Sequence, residues 1–409
     1  MKIAFFTDAY LDLNGGIVSS MNAQKHALEE LGHTVYIFST GFRRSDKELA
    51  ALMNDHIYIV PSCKLFFLGI APISRRPRII EKWLMKNFPE LKEFDVFHIH
   101  YEGGCSIAGI RLGRKLKIPV VQTMHGREDM GETSIIPFGL RSFVAFHLNW
   151  FHSWYLPHEM KVKKDKYLAT SYARAKMWTL MVNHANAADT VITPSKHFKD
   201  KLTHYGVTRD IDVVSNGIDD DLVPARVSAR RIMANEPLKI VWNSRFSPEK
   251  RAMKFLEALK MVDFPYTMEA FGSGADIILG KNYAKLNHLK VNFHGDTKRE
   301  EILKTMKDSH LGVLASYGFD NQPMTMLEAE VTGLPILICD PDMLEVTTKN
   351  GVYLADGPEP KDLAKALTDI YNDPEKIVRM SVAMIKDRNQ AKQSHQIKKL
   401  LSIYERVKK

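Results

Sequence analysis

The chain has no uninterrupted apolar stretch of the ~20 residues that a helical membrane span needs. Its first residues, Met-Lys-Ile-Ala-Phe-Phe-Thr-Asp, hold an apolar run too short for a signal peptide and are expected to form a strand. It has only three cysteines (Cys63, Cys105 and Cys339), without pairing or metal-ligand spacing, so reduced thiols in a cytosolic protein are expected. Zinc-finger spacing and aromatic RNA-binding motifs are absent, which argues against a nucleic-acid partner. The dinucleotide fingerprint G-x-G-x-x-G is missing, as are short-period repeats and low-complexity tracts. What remains is ordinary for a globular protein: 409 residues, 45% hydrophobic and 26% charged, enough for two domains with their own cores. Net charge is +9, and residues 386–409 hold eight Lys or Arg against two Asp or Glu. Such an excess suits nucleic acid, an anionic membrane face or phosphate-bearing substrates.

Short apolar strands alternate with amphipathic helices through the first half. Strands are expected at Lys2–Phe6, Thr34–Ser39, Asp95–His98, Pro119–Thr123 and Thr190–Thr193, with helices at Ser19–Leu31, Ser106–Leu116, Tyr172–Ala187 and Ser195–Tyr205. The rhythm restarts after Pro224, with strands at Lys239–Asn243, Tyr266–Phe271, Lys290–His294, Leu311–Ala315 and Pro335–Cys339, and a helix at Lys250–Leu259. This predicts an α/β protein with two parallel sheets covered by helices. The predicted division is 1–220, 221–385 and a basic C-terminal helix over 386–409. That helix carries Ile397, Leu400, Leu401, Tyr404 and Val407 on one stripe. Open sheets of this kind bind ligands at the carboxyl ends of their strands, so a cleft between two domains that close about a hinge is the expected active site.

The segment Asp320-Asn-Gln-Pro-Met-Thr-Met-Leu-Glu328 sets two carboxylates across the start of a short helix. Pro323 suits its first turn, Gly333 the position past its end, and Pro335 blocks extension. Unpartnered amides near Met324 and Thr325 attract phosphate. Glu328 lies ~4.5–6 Å further along the axis, about the distance from a nucleotide's phosphate to its ribose hydroxyls. Asp320 precedes the helix, where a transferred sugar would lie. Asn321 and Gln322 add side-chain donors. Together these residues predict a nucleotide-sugar site.

Other candidates follow strands. Gly15-Gly16, after Asn14, allows close backbone approach of a phosphate or sugar, and a plain strand-to-helix turn explains it equally. Arg245 and Lys250 could neutralise a departing diphosphate, against a reading as solvated surface charges. Gly272-Ser273-Gly274 admits a nucleotide or forms a tight turn. His125 could hydrogen-bond a sugar hydroxyl or shuttle a proton. His98 and His100 tempt a metal reading, but no third ligand is placed, so no metal is expected.

In order and spacing these features resemble family 4 of the retaining glycosyltransferases over nearly the whole length. The resemblance rests on Gly15-Gly16, the strand end at Asp95–His100, His125, Pro194-Ser195, Asn216-Gly217-Ile218-Asp219, Arg245 with Lys250, Gly272-Ser273-Gly274 and the carboxylate pair. It implies the GT-B fold, two Rossmann-like domains facing across a cleft. It also implies a UDP-sugar donor held by the C-terminal domain, acceptor binding by the N-terminal domain, retention of configuration and no required cofactor. By position, Arg245 and Lys250 would hold the diphosphate, Glu328 the ribose, and Asp320 and His125 the transferred sugar. The chain departs from the family in having Asp320 where Glu is usual, and Asn321-Gln322-Pro323 in place of a glycine-rich stretch.

Residues 131–170 are the least family-like. Ile135, Ile136, Phe138, Phe143, Phe146, Trp150, Phe151, Trp154 and Tyr155 lie ahead of Lys161, Lys163, Lys164 and Lys166. A second patch, Leu65-Phe66-Phe67-Leu68, lies near Arg75, Arg76 and Arg78. Aromatics beside cations suit an anionic membrane interface, and a packed helical insertion is the alternative. Thr-Met-His followed by acidic residues is also similar to glucosyltransferases that modify diacylglycerol. The expectation is a hexose transfer to a lipid or cell-envelope glycan, in the cytoplasm or on the inner face of the membrane. A nucleotide-sugar epimerase and a non-catalytic sugar-binding protein are the competing readings.

Overall fold

The structure is a computed structural model that describes residues 1–11, 15–41, 56–63, 73–74, 76–130, 136–233 and 236–408. Asn14, the 65–68 cluster, Arg75 and Ile135 lie outside the described residues. The chain divides into two compact units: Met1–Val214 with Ile397–Lys409, and Ser215–Gln396.

In the first unit, β1 (Lys2–Thr7), β2 (Thr34–Ser39) and β3 (Ile57–Ile59) are followed by a small antiparallel pair, β4 (Ser62–Cys63) with β5 (Ile73–Ser74). Then come β6 (Val96–Ile99), β7 (Val120–Thr123), β8 (Thr190–Thr193) and β9 (Ile211–Val213). The main sheet has the order β3-β2-β1-β6-β7-β8-β9, parallel throughout. Successive residues of β1 feed opposite faces. Ile3 and Phe5 pack with Met21, Leu28, Ile397, Leu400 and Tyr404, whereas Ala4 and Phe6 pack with Phe38, Ile107 and Leu112. The strand order reverses between β1 and β6, which puts the crevice of this sheet beside their carboxyl ends.

Asp8 closes one side of that crevice. Its carboxylate accepts from the Cys105 amide at 2.8 Å and from the Ser106 amide and hydroxyl at 3.1 and 2.8 Å. This cap starts the helix at Gly104 rather than Ser106. Gly103 is obligatory there, since a Cβ would lie 2.4 Å from the Asp8 Cγ.

The second unit contains β10 (Leu238–Asn243), β11 (Tyr266–Phe271), β12 (Val291–Gly295), β13 (Leu311–Leu314), β14 (Ile336–Ile338) and β15 (Val352–Leu354). Their order is β12-β11-β10-β13-β14-β15, again parallel, with the reversal between β10 and β13. Leu238, Ile240 and Trp242 enter one core and Val241 the other, so the sheet is buried on both faces.

The expected helix over Lys250–Leu259 is broken at its start. Pro248–Lys250 form a 3-10 turn, Arg251 takes φ +60°, and the helix proper is Ala252–Leu259. The left-handed residue turns Lys250 out of the helical ladder and toward β13.

Candidate active site

The crevice of the second sheet is built by the loops after β10 and β13. After β10, Asn243 leads through Arg245 to Lys250. After β13, Ser316 and Gly318 lead to Asp320 and the Met324–Thr332 helix. That helix starts beyond Pro323 and ends at Gly333, whose φ of +70° makes the left-handed cap. Its first amides, at Met324 and Thr325, have no intrahelical acceptor by position. The Thr325 hydroxyl donates to the Asn243 carbonyl at 2.5 Å, tying the helix start to the end of β10.

Lys250 and Asp320 meet at the reversal point. The ammonium lies 2.6 Å from the Asp320 Oδ1, with side chains only 12% and 9% exposed. The second Asp320 oxygen accepts from the Ser316 hydroxyl, and Phe319 lies under the ammonium at 5.2 Å. Asp340 holds the same loop by accepting from the Gly318 amide at 2.7 Å. Arg245 is more open at 55% and pairs with the buried Glu249 at 2.9 Å. Glu249 also accepts from the Ser247 hydroxyl. Neither cation is therefore a bare surface charge, which removes the solvated-charge reading for Lys250.

Glu328 is 2% exposed. One carboxylate oxygen accepts from the Asn243 side-chain amide at 2.5 Å, and the other lies 3.1 Å from Arg299 Nε. Arg299 was not among the sequence candidates. Its signal is local: Lys298-Arg299 opens a helix, where the dipole disfavours cations, so a tertiary acid is implied.

Gln322 serves as a brace. It accepts from the Asn216 amide at 2.7 Å and donates to the Ser215 hydroxyl at 2.7 Å, fixing the first residues of this unit. Asn321 is buried beside it. Gly272 and Gly274 have φ of +112° and +150°. A Cβ on either would lie 2.3 Å from the Ser244 or Phe246 carbonyl oxygen. Close packing of this turn on the Arg245 loop accounts for both glycines.

In the first unit, Gly15 and Gly16 open the helix after β1, and nothing stands within 4 Å of a Cβ built on Gly15. His125 follows β7. Its Nε2 lies 3.1 Å from His100 Nδ1, and burial lowers its pKa to about 4, although the residue as a whole is only partly buried. His98 is a core residue, bonded to the Tyr404 and Thr123 hydroxyls at 2.6 Å each. The fold thus holds His98 through both ring nitrogens and His100 through Nδ1.

The helix Arg141–Ser153 has two faces. Ala145, Asn149 and His152 are buried, while Phe143, Phe146, Trp150 and Trp154 lie 44–62% exposed. The lysines at 161, 163, 164 and 166 are exposed on the following segment. The packed-insertion reading therefore describes one side of this helix only.

Residues 14–222 match the family model Glycosyltransferase Family 4, and residues 229–402 match Glycosyl transferases group 1. The chain belongs to glycosyltransferase family 4 and is a glycosyltransferase of the GT-B type. The alpha-monoglucosyldiacylglycerol synthase of Acholeplasma laidlawii is 24% identical over 398 residues, covering 92% of this chain and 89% of that protein. The synthase of the same name from Streptococcus pneumoniae is 26% identical over 221 residues, 54% of this chain and 41% of that protein's length. Among solved structures, Anabaena HepE in complex with UDP superposes with a TM-score of 0.68 at 14% identity, covering 98% of this chain and all of that one. At that identity the likeness is one of fold.

Proposed function

We propose that this protein transfers a hexose, with retention of configuration, from a UDP-sugar to a lipid acceptor of the diacylglycerol class. UDP-glucose and UDP-GlcNAc are the favoured donors. The observation that carries the reading is the placement of Lys250, Asp320 and Glu328 around one helix start at the reversal point of the second sheet. The relatives named for monoglucosyldiacylglycerol synthesis support the acceptor class.

In this reading the diphosphate lies against the Met324 and Thr325 amides, and the ribose lies against Glu328. As the sugar–phosphate bond lengthens, positive charge grows at the anomeric carbon and negative charge on the leaving diphosphate. Arg245, Lys250 and the helix amides stabilise that leaving charge. The departing phosphate oxygen accepts the acceptor's proton on the same face, so configuration is kept without a covalent enzyme intermediate. No metal takes part. Acceptor binding is assigned to the first unit, whose exposed Phe143, Phe146, Trp150 and Trp154 stripe and neighbouring lysines suit an anionic bilayer surface.

Incubation with labelled UDP-sugars and diacylglycerol-containing vesicles tests the transfer, with product anomer read by NMR. A β-linked product from an α-donor, or sugar released only as free hexose, contradicts the proposal. Trp150→Ala with Trp154→Ala should weaken flotation with anionic vesicles about tenfold or more while leaving UDP binding unchanged.

A further inference from the structure

Glu328 reaches its position through three chain elements. It projects from the Met324–Thr332 helix, Asn243 approaches from the end of β10, and Arg299 from the first turn of the helix Arg299–Asp308 that follows β12. A carboxylate exposed by only 2% needs a partner for its charge in such a place. Arg299, at 17% exposure, is the cation in contact with it. The guanidinium meets one oxygen through Nε, and the Asn243 amide meets the other. Each carboxylate oxygen has roughly two acceptor sites; Asn243 fills one on its oxygen and the Arg299 contact is an ion pair, so about one or more on each oxygen remains. Two acceptor sites on one planar group match the two adjacent hydroxyls of a ribose.

We propose that Arg299 is a positioning residue that holds Glu328 oriented for the 2′,3′-diol of the bound nucleotide. The inference rests on Glu328 being the ribose contact. Arg299 acts through the carboxylate and not on the nucleotide, so its contribution is to discrimination between ribose and deoxyribose. The two helix starts are thereby coupled: the same carboxylate that grips the diol pins the Arg299 helix to the Met324 helix.

The test is equilibrium binding of UDP and 2′-deoxy-UDP to the full chain, with thermal melting as a check on folding. Wild type should prefer UDP by about tenfold, the scale of one hydrogen bond to a charged group. Glu328→Gln should bring that preference near unity. Arg299→Gln should reduce it to within about threefold, with UDP losing more than 2′-deoxy-UDP, which keeps only its 3′-hydroxyl on Glu328, and Arg299→Lys should recover part of it. In the Glu328→Gln background, Arg299→Gln should change neither affinity. A full preference retained in Arg299→Gln overturns the inference and leaves Glu328 standing. Equal losses for both nucleotides in Arg299→Gln also overturn it, since Arg299 would then contact a shared part of the nucleotide. No preference in wild type removes the ribose contact itself, and the inference with it. Arg299→Lys keeps the charge, so it carries the test if Arg299→Gln does not fold.

Discussion

Asp320→Asn should tighten binding of UDP and slow sugar transfer at the same time. Lys250 lies 2.6 Å from Asp320, and both side chains are nearly buried. A phosphate oxygen sharing that ammonium would sit on the order of 5 Å from the Asp320 oxygen, given two N–O contacts of about 2.7 Å. At an effective dielectric of about 20, the repulsion between unit charges at that distance is roughly 3 kcal/mol. The partial opening of the site and the diffuse charge of a diphosphate reduce this to about 1.4 kcal/mol, a factor of about ten in affinity. The amide keeps the shape and removes the charge. Lys250→Met should do the reverse, weakening UDP and leaving Asp320 as a nearly buried charge, at a stability cost of about 3 kcal/mol. The double variant should be less damaged in stability than the two single effects added together. Calorimetric titration with UDP reads the first effect and urea denaturation the second. Weaker UDP binding in Asp320→Asn, or strict additivity of the two stability losses, would refute the reasoning.

Three further outcomes follow from burial. Burial, with Asp387 adding, pushes Glu330 up to about 7, against the opposing hydrogen bond from Thr348. Stability from its neutral form is therefore complete below pH 4.5 and lost as the pH rises through 7. Glu330→Gln should gain about 3 kcal/mol relative to wild type between pH 5 and 8, and an unchanged gap in urea denaturation contradicts this. His98, His100, His152 and His184 are held neutral by burial, their pKa values lowered from 6.5, so they cost nothing above that pH and destabilise the fold as it falls. The melting temperature should drop between pH 6.5 and 5, and His152→Gln should flatten part of that drop. Gly272→Ala, which forces a Cβ to 2.3 Å from the Ser244 carbonyl at φ +112°, should cost at least ~2 kcal/mol and loosen the Arg245 loop. Unchanged stability would show that the turn can relax.

The parallel sheets were legible because strands buried on both faces appear as unbroken apolar runs between amphipathic helices. The Met324–Thr332 helix was legible because Pro323 and Gly333 mark its ends by backbone geometry alone. What pairing does across the fold was not legible. Asp8 follows β1 like any strand-end acid, yet it caps a helix nearly a hundred residues away. Glu249, next to Pro248 in a polar loop, looks solvated and is instead the buried partner of Arg245. Gln322 sits inside the carboxylate segment and looks like a ligand donor, but its amide is occupied by residues 215–216. Each case depends on contacts from distant sequence, which local periodicity does not encode.

The three pairs at the carboxyl edge of the second sheet also imply an order of engagement. Arg245–Glu249, Lys250–Asp320 and Arg299–Glu328 each set one cation against one acid, so an incoming diphosphate must compete with carboxylates already in place. The cost of competing differs from pair to pair. Arg245 is half-exposed and gives Glu249 a single N–H, so its remaining donors reach a diphosphate without abandoning the buried acid. Lys250 is nearly buried, and releasing it would leave Asp320 unpaired in a poorly solvated place. Arg299 opposes the most buried acid and has the least freedom to move. Arg245 is therefore the cation that meets the diphosphate first, and Lys250 shares its ammonium between Asp320 and phosphate rather than abandoning the acid. A lysine's three donors permit that sharing, whereas a guanidinium fixed in one plane would not adapt to it. Lys250→Arg should accordingly fail to restore UDP affinity, although it keeps the charge.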